Sequence, residues 1–168
     1  IEMPLIDVCM DMELRGVEIR EDYAKELSVK FNAEMEEKEK LCDEYVAKFS
    51  EYIEKNATLM RLTKGAVKIN YNSPQQVAIL LYDIFKLKSV SRKDPRGTGD
   101  KIIQQHRNNA KKAGTKKAEE FLEFLDNYQR YKECKKLLST YIDKIPAVKD
   151  EKTNAVHTTF NQYGAVTG

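Results

Sequence analysis

Two long runs of apolar residues at helical spacing constrain the fold of this chain more than any other feature. One run extends from Tyr23 to Tyr52 and the other from Ala118 to Tyr141, and Glu and Lys fill most of the positions between the apolar residues. Apolar residues at this spacing share one face of an α-helix. Helices of this length bury such a face against another helix. The sequence therefore predicts a mainly α-helical fold built on a long antiparallel helix pair, with helices over about 21–55 and 115–141. A coiled-coil rod is the alternative.

The segment between the two runs contains signals for shorter elements. Ser73 is suited to cap a helix, Pro74 fits the first helical position, and Gln76 stands where its side chain can reach back to the cap, which together make a capping box. A helix of roughly a dozen residues is expected from there. Residues 86–99 contain Pro and Gly and predict a loop, after which a short helix is expected.

The two ends of the chain predict smaller elements. A short helix is expected over Pro4–Leu14, with Gly16 as its left-handed cap, and residues 17–20 are expected to be extended. Near the other end, Pro146 is expected to close the helical region. Apolar and polar residues alternate over 156–160, which predicts a β-strand.

Charge is distributed unevenly along the chain. Residues 1–55 contain 16 acidic and 8 basic residues, whereas residues 86–117 contain 11 Lys and Arg against 2 Asp. We call residues 86–117 the basic segment. Such a concentration of cations is typical of a surface that binds a polyanion. A solvated, mobile, lysine-rich loop is the other interpretation of the same charges.

Composition and motifs exclude several other classes of protein. The apolar stretch Met3–Met10 is short and holds Pro4 and Asp7, so it can neither span a bilayer nor serve as a signal sequence, and a cytoplasmic location is expected. No zinc-ligand spacing, phosphate-binding loop or Ser/His/Asp set is present, so no catalytic or metal-ligating residue is predicted. Three cysteines lie far apart and are predicted to be reduced thiols: Cys9, Cys42 and Cys134.

Four short motifs follow one another along the chain. They are Glu2-Met3-Pro4-Leu5 leading into 12–19, then Ile69–Gln76, then Leu138–Asp143, and finally Val156–Gln162 followed by Thr167-Gly168. In order and spacing these motifs resemble the polymerase domain of family A DNA polymerases, the bacterial DNA polymerase I type and its phage relatives. The thumb of that family is a pair of long antiparallel helices with small helices and a basic loop at the tip, which agrees with the pattern described above.

The resemblance implies a domain organisation and a function. Residues 1–20 would begin the polymerase domain, 21–145 would form the thumb, and 146–168 would form the first strands of a truncated palm. The chain would then grip primer–template duplex DNA, through backbone and minor-groove contacts, for a DNA-directed DNA polymerase that acts in replication or repair. The catalytic carboxylates and the fingers would lie after Gly168. We therefore expect the 168-residue chain alone to be inactive. Its expected partners are the remaining palm and fingers, and Mg²⁺ is expected only for the full-length enzyme.

The resemblance also implies particular DNA contacts. They are Asn72 and Ser73 at a helix start, Arg96 and Thr98 in the basic loop, Lys132, Lys136, Ser139 and Thr140 near the end of the second long helix, and Asn161 and Gln162 on the palm strand. Such residues hold phosphates and sugars without reading base sequence.

Each of these residues also has a purely structural interpretation. Ser73 is expected to cap its helix in either case, and the two lysines could be ordinary surface residues. Tyr141 is expected in the core, and the two residues of the palm strand could instead pair with backbone at a sheet edge. For the whole chain, the alternative is a helical adaptor or coiled-coil protein whose basic tip binds RNA or acidic partners.

Overall fold

A computed structural model describes the backbone of residues 2–160 and the side chains of residues 5–160. The chain divides into two compact units. One is formed by the two ends of the chain, up to Phe31 and from Lys136 onward, and the other by residues 32–135. In chain order the elements are α1 (Glu2–Arg15), β1 (Val17–Glu18), α2 (Glu21–Ala47), α3 (Ser50–Glu54), α4 (Ala57–Leu62), α5 (Pro74–Ala78) with a π-helical turn over Ile79–Ile84, α6 (Asp100–Ala113), α7 (Lys116–Leu137) with a π-helical turn over Leu138–Ile142, α8 (Lys144–Ala147) and β2 (Ala155–Val156).

The predicted helix pair is present in the unit formed by residues 32–135. The Arg130 guanidinium donates two hydrogen bonds to the Glu34 carboxylate, at 2.6 and 2.9 Å. Further along, the rings of Tyr45 and Phe124 stack with centroids 5.0 Å apart. A residue later in α2 thus contacts a residue earlier in α7, so the two helices run antiparallel. The predicted fold class is confirmed.

The segment between the long helices packs onto them and forms one hydrophobic core. The apolar stripe of α7 contributes Phe121, Leu125 and Tyr128, which are at most 8% exposed. The shorter helices add aliphatic side chains with almost no exposed surface, which are Ile53, Leu59, Ile69, Val77, Leu80 and Leu81. Burying apolar surface away from water is the main stabilising contribution in such a unit. Residues 32–135 therefore form a compact helical unit rather than a coiled-coil rod.

The first long helix ends earlier than the sequence pattern predicted. It stops at Ala47, where the N–H groups of Lys48 and Phe49 donate to carbonyl oxygens three residues earlier instead of four. The Phe49 ring packs 4.8 Å from the ring of Phe85. This packing bends the chain into α3, which buries Ile53 and leaves Tyr52 60% exposed. Contact with a distant residue, and not local helix propensity, fixes this end of the helix.

The other unit contains a two-stranded antiparallel sheet, in which Val17 pairs with Val156 and Glu18 pairs with Ala155. Gly16 ends α1 with φ of +67°, as expected for a left-handed cap. An added Cβ at Gly16 would lie 3.0 Å from the Cβ of Ala155, so the position also allows the strands to approach closely.

Two predictions for this unit need correction. The strand predicted over 156–160 is only two residues long, because Val156 pairs with Val17, the first residue of β1, and the residues before Gly16 belong to α1 and offer no strand to pair with. Residues 157–160 are instead tied to α1, since the Glu13 carboxylate accepts a hydrogen bond from the Phe160 N–H at 2.7 Å. Pro146 lies inside α8, which ends at Ala147. Proline is tolerated there because the first turn of a helix needs no N–H donor.

None of the helices described has the length and apolarity of a segment that crosses a bilayer.

Candidate nucleic-acid interface

The basic loop, residues 86–99, is anchored to the preceding helix at two points. The Tyr82 hydroxyl donates a hydrogen bond to the Gly97 carbonyl at 2.9 Å. The Arg96 guanidinium donates two hydrogen bonds to the Asp83 carboxylate, at 2.9 and 2.7 Å. An added Cβ at Gly97 would lie 2.1 Å from the Ile102 side chain, so the backbone here packs directly onto α6. The loop therefore has a defined path over its last residues.

Most cations of the basic segment form no direct ion pair within the described part of the chain. Two of the eleven form ion pairs: Arg96 with Asp83 at 2.7 Å, and Arg107 with Asp126 at 2.5 Å. The other nine are exposed, and they are Lys86, Lys88, Arg92, Lys93, Lys101, Lys111, Lys112, Lys116 and Lys117. Exposed cations without a paired carboxylate create a positive potential that attracts a polyanion. The chemistry of this surface suits phosphate groups.

Arg96 is less accessible to a phosphate than its sequence position suggested. Its guanidinium already binds Asp83 through two parallel hydrogen bonds, which hold the pKa of the Asp83 carboxyl below its usual range. A phosphate would have to share or replace this carboxylate, because a guanidinium fork fits one such partner best. Thr98, two residues later, is half-buried. Contacts of these two residues with DNA stay predictions.

Asn72 and Ser73 are held in place at the start of α5. The Asn72 side-chain amide donates a hydrogen bond to the Tyr131 hydroxyl at 2.8 Å. The Ser73 hydroxyl accepts a hydrogen bond from the Gln76 N–H at 3.5 Å, and Ser73 is the N-cap of α5 as predicted. Both residues are anchored by the fold, whichever ligand they meet.

The second half of the predicted capping box is wrong. Gln76 does not reach back to Ser73, because its side chain is only 8% exposed and points into the core. Its Oε1 accepts a hydrogen bond from the Asn70 N–H at 2.8 Å, and its Nε2 donates to the Leu62 carbonyl at 3.5 Å. The Gln76 amide turns inward because it provides hydrogen-bond partners for the Asn70 N–H and the Leu62 carbonyl, and buried backbone polar groups require such partners.

Lys132 has a partner on a different helix. Its ammonium lies 3.2 Å from the Asp100 carboxylate and 5.7 Å from the centroid of the Tyr128 ring. Lys132 is half-buried. A DNA contact at this position would have to compete with Asp100.

The remaining predicted contacts lie near the end of α7. Lys136, Ser139 and Thr140 are exposed. Tyr141 was predicted to be in the core, and this prediction is wrong, since the residue is 48% exposed. Residues 138–142 form a π-helical turn, which holds more residues per turn than an α-helix and rotates Tyr141 away from the buried face. Asn161 and Gln162 fall outside the described residues.

Comparison with known proteins decides the family. The sequence model of DNA polymerase family A matches residues 21–168. This chain belongs to DNA polymerase family A. Over its whole length, it is 30% identical to DNA polymerase I of Chloroflexus aurantiacus, 28% identical to the thermostable DNA polymerase I of Thermus thermophilus and 30% identical to DNA polymerase I of Helicobacter pylori. The chain spans 15–17% of the length of these relatives. Family membership favours the polymerase interpretation over the helical-adaptor alternative.

The described residues of this family A chain do not supply a metal site. Among residues 5–160, no three carboxylate, imidazole or thiol side chains lie close enough together to hold a metal ion. Cys42 and Cys134 are completely buried, and burial raises the pKa of the Cys42 thiol to about 12. Neither Cys42 nor Cys134 is part of a disulfide.

The residues that position the predicted contacts in this family A chain were not predicted from the sequence. Asp83 and Tyr82 hold the basic loop, and Tyr131 holds Asn72. No motif contains these residues. For Tyr131, the helical spacing predicted burial, but only the folded structure brings its hydroxyl to the start of α5.

Proposed function

We propose that this chain forms the thumb and the first part of the palm of a template-directed DNA polymerase, and that it grips primer–template duplex DNA. The observation that carries the proposal is the set of nine exposed, unpaired cations in the basic segment of a family A chain. Phosphates attract such cations regardless of base sequence, and binding releases the counter-ions of the DNA. The expected interaction is therefore weak, independent of sequence and strongly dependent on salt.

Short polar side chains would orient the duplex once the cations have attracted it. Asn72, Ser73 and Thr98 in one unit, and Ser139 and Thr140 in the other, carry donors that can reach phosphate or sugar oxygens. Contacts of this kind set position and orientation, while base identity is left to pairing with the template.

The exposed apolar surface of α1 supports the view that this chain works as part of a larger protein. Its large apolar side chains are 44–69% exposed, and they are Leu5, Ile6, Val8, Met10, Met12 and Leu14. Large apolar side chains exposed along a whole helix are typical of a segment that contacts another protein surface. We propose that the remaining palm and fingers of the polymerase cover it.

The bond-forming chemistry is proposed to reside in those remaining parts. Two Mg²⁺ ions held by palm carboxylates would activate the primer hydroxyl and stabilise the leaving pyrophosphate. Residues 5–160 contain no group of three or more carboxylate, imidazole or thiol side chains that could hold a metal ion. In this proposal they position the duplex.

Fluorescence anisotropy with a labelled primer–template duplex tests the DNA-binding proposal. The three-site variant Arg92→Ala, Lys93→Ala, Lys101→Ala should bind more weakly, and its dependence of log affinity on log salt should be shallower by up to about 2.7, at about 0.9 per lost phosphate contact. A matched control replaces three exposed lysines of α2, Lys25, Lys30 and Lys40, by Ala. Equal losses in both variants would mean that the basic segment has no special role.

A primer-extension assay tests the assignment of the chemistry. The pure 168-residue chain, supplied with duplex, nucleotides and Mg²⁺, should add no nucleotide to the primer. Primer extension that co-purifies with the chain would show that catalytic residues lie within it.

A further inference from the structure

An apolar groove of about 730 Å³ opens on the surface of residues 32–135. Four aromatic rings line it, and they are Tyr45 from α2, Phe49 after α2, Phe85 directly after the 79–84 turn, and Phe121 from α7. The ring of Phe85 lies 4.8 Å from Phe49 and 5.5 Å from Tyr45, so the rings form one continuous surface. Tyr45, Phe49 and Phe85 are only half-buried. We call this surface the aromatic groove.

The mouth of the aromatic groove is positively charged. Lys48, Lys88 and Lys117 line it, and Glu120 is the one acidic residue among the lining side chains. Glu120 is already engaged, because Lys48 donates a hydrogen bond to it at 2.7 Å and thereby lowers the pKa of its carboxyl. Lys88 and Lys117 are exposed and have no ion pair within the described residues. A ligand of the groove should therefore carry apolar groups where it inserts among the rings and anionic groups where it meets the lysines at the mouth.

We propose that the aromatic groove docks a short acidic segment of a partner protein. Large apolar side chains of that segment would insert among the four rings, and flanking carboxylates would lie on Lys88 and Lys117. The groove volume falls in the range of established ligand sites, about 300–1,000 Å³, and exceeds what a single side chain fills. Segments that place two apolar anchors on one helix face use grooves of this kind.

The arrangement of the rings favours a protein segment over single-stranded nucleic acid. Bases bind by stacking on free ring faces. Here two of the four rings already have a face against another ring, since Tyr45 stacks on Phe124 at 5.0 Å and Phe121 stacks on Phe124 at 6.2 Å, and the Lys48 ammonium lies 5.2 Å from the centroid of the Tyr45 ring. Aliphatic or aromatic side chains can pack against ring edges, whereas a base would lose its preferred contact.

Synthetic peptides test the proposal with the 168-residue chain. The probe is a labelled peptide of about 12 residues with Leu and Phe anchors four positions apart and Asp or Glu elsewhere, the spacing that places both anchors on one helix face. It should bind saturably. Replacing both anchors by Ala, or every acid by Lys, should weaken binding about tenfold or more, because anchor side chains and complementary charge provide most of the affinity.

Two pairs of variants locate the binding site. Ala118→Phe fills the groove and should weaken peptide binding about tenfold or more. The matched control Ala33→Phe makes the same change at an exposed position of α2 and should leave binding unchanged.

The charge-reversal pair Lys88→Glu, Lys117→Glu should also weaken peptide binding. Its control, Lys101→Glu with Lys112→Glu, makes the same change in net charge on α6 and should not. Both charge variants should weaken duplex DNA binding to a similar degree. Failure of the peptide-docking inference would therefore appear in the peptide assay alone, and failure of the proposed DNA binding in the duplex assay alone.

Several outcomes would overturn the inference. No saturable peptide binding, or binding that Ala118→Phe leaves unchanged, would remove the groove as a docking site. Displacement of the peptide by an oligothymidylate, with the same sensitivity to Ala118→Phe, would assign the groove to single-stranded DNA instead. Self-association that Ala118→Phe abolishes would assign it to a second copy of this chain.

Discussion

Replacing Gln76 by Glu distinguishes the contacts seen in the structure from the capping box that the sequence suggests. In a capping box a Glu at this position serves as well as a Gln. In the structure, however, the Gln76 amide donates to the Leu62 carbonyl and is 8% exposed. A carboxylate cannot donate this hydrogen bond, and losing it costs about 1 kcal/mol. Excluding the new charge from water adds about 1–2 kcal/mol, which its hydrogen bond from the Asn70 N–H offsets only in part.

We expect Gln76→Glu to lower the free energy of unfolding by about 2–3 kcal/mol near pH 7, measured by urea denaturation followed by circular dichroism. The loss should shrink as the pH falls toward about 4.5. Burial raises the pKa of the new carboxyl group in the folded state, so the folded chain binds more protons than the unfolded chain above about pH 4.3. Stability of the variant relative to the parent therefore declines as the pH rises through this window.

The matched control is Gln75→Glu, one residue earlier and exposed. A carboxylate in the first turn of a helix interacts favourably with the helix dipole, so this variant should be unchanged or slightly more stable. If Gln76→Glu proves as stable as the parent at neutral pH, the inward orientation of this side chain is wrong and the capping-box interpretation is right.

Three further predictions follow from individual residues. Burial lowers the pKa of His106 below its usual 6.5, so the folded chain should lose stability as the pH falls below about 7, and His106→Gln should remove this part of the pH dependence. A thiol-reactive reagent should label Cys9 long before Cys42, which is 0% exposed with a raised pKa; rapid modification of Cys42 in the folded chain would contradict this. Gly16→Ala should destabilise the chain by about 1–2 kcal/mol in thermal unfolding. The control Gly65→Ala should destabilise it less, because both residues have positive φ but an added Cβ would lie 3.0 Å from the Ala155 Cβ at Gly16 and would have nothing within 4 Å at Gly65.

The helix pair could be predicted because its signal is local in sequence. Apolar residues recur at helical spacing along most of each helix, and burying that face requires a partner helix. The end of α2 at Ala47 could not be predicted, because it depends on packing between Phe49 and Phe85, which are far apart in the sequence. The same limit applies to Tyr141, whose exposure follows from a π-helical turn that leaves no mark in the apolar pattern.

The same difference between local signals and contacts of distant residues applies to the candidate interface. Ser73 was predictable as a helix cap, because the cap, the following proline and the apolar face after it are adjacent in the sequence. The pairing of Arg96 with Asp83 was not, because it forms only when the basic loop folds back onto the preceding helix. The density of basic residues in the sequence indicates where a polyanion would bind. The carboxylates that would compete with it, Asp83 at Arg96 and Asp100 at Lys132, come close to these cations only in the folded chain.

Lysine footprinting on primer–template DNA tests the central claim most directly. The 168-residue chain would be acetylated with and without duplex, and each lysine would be quantified by mass spectrometry. We predict that DNA protects the exposed lysines of the basic segment, together with Lys136, and leaves Lys25, Lys30 and Lys40 on α2 unchanged. Protection spread evenly over all lysines, or confined to α2, would contradict the account.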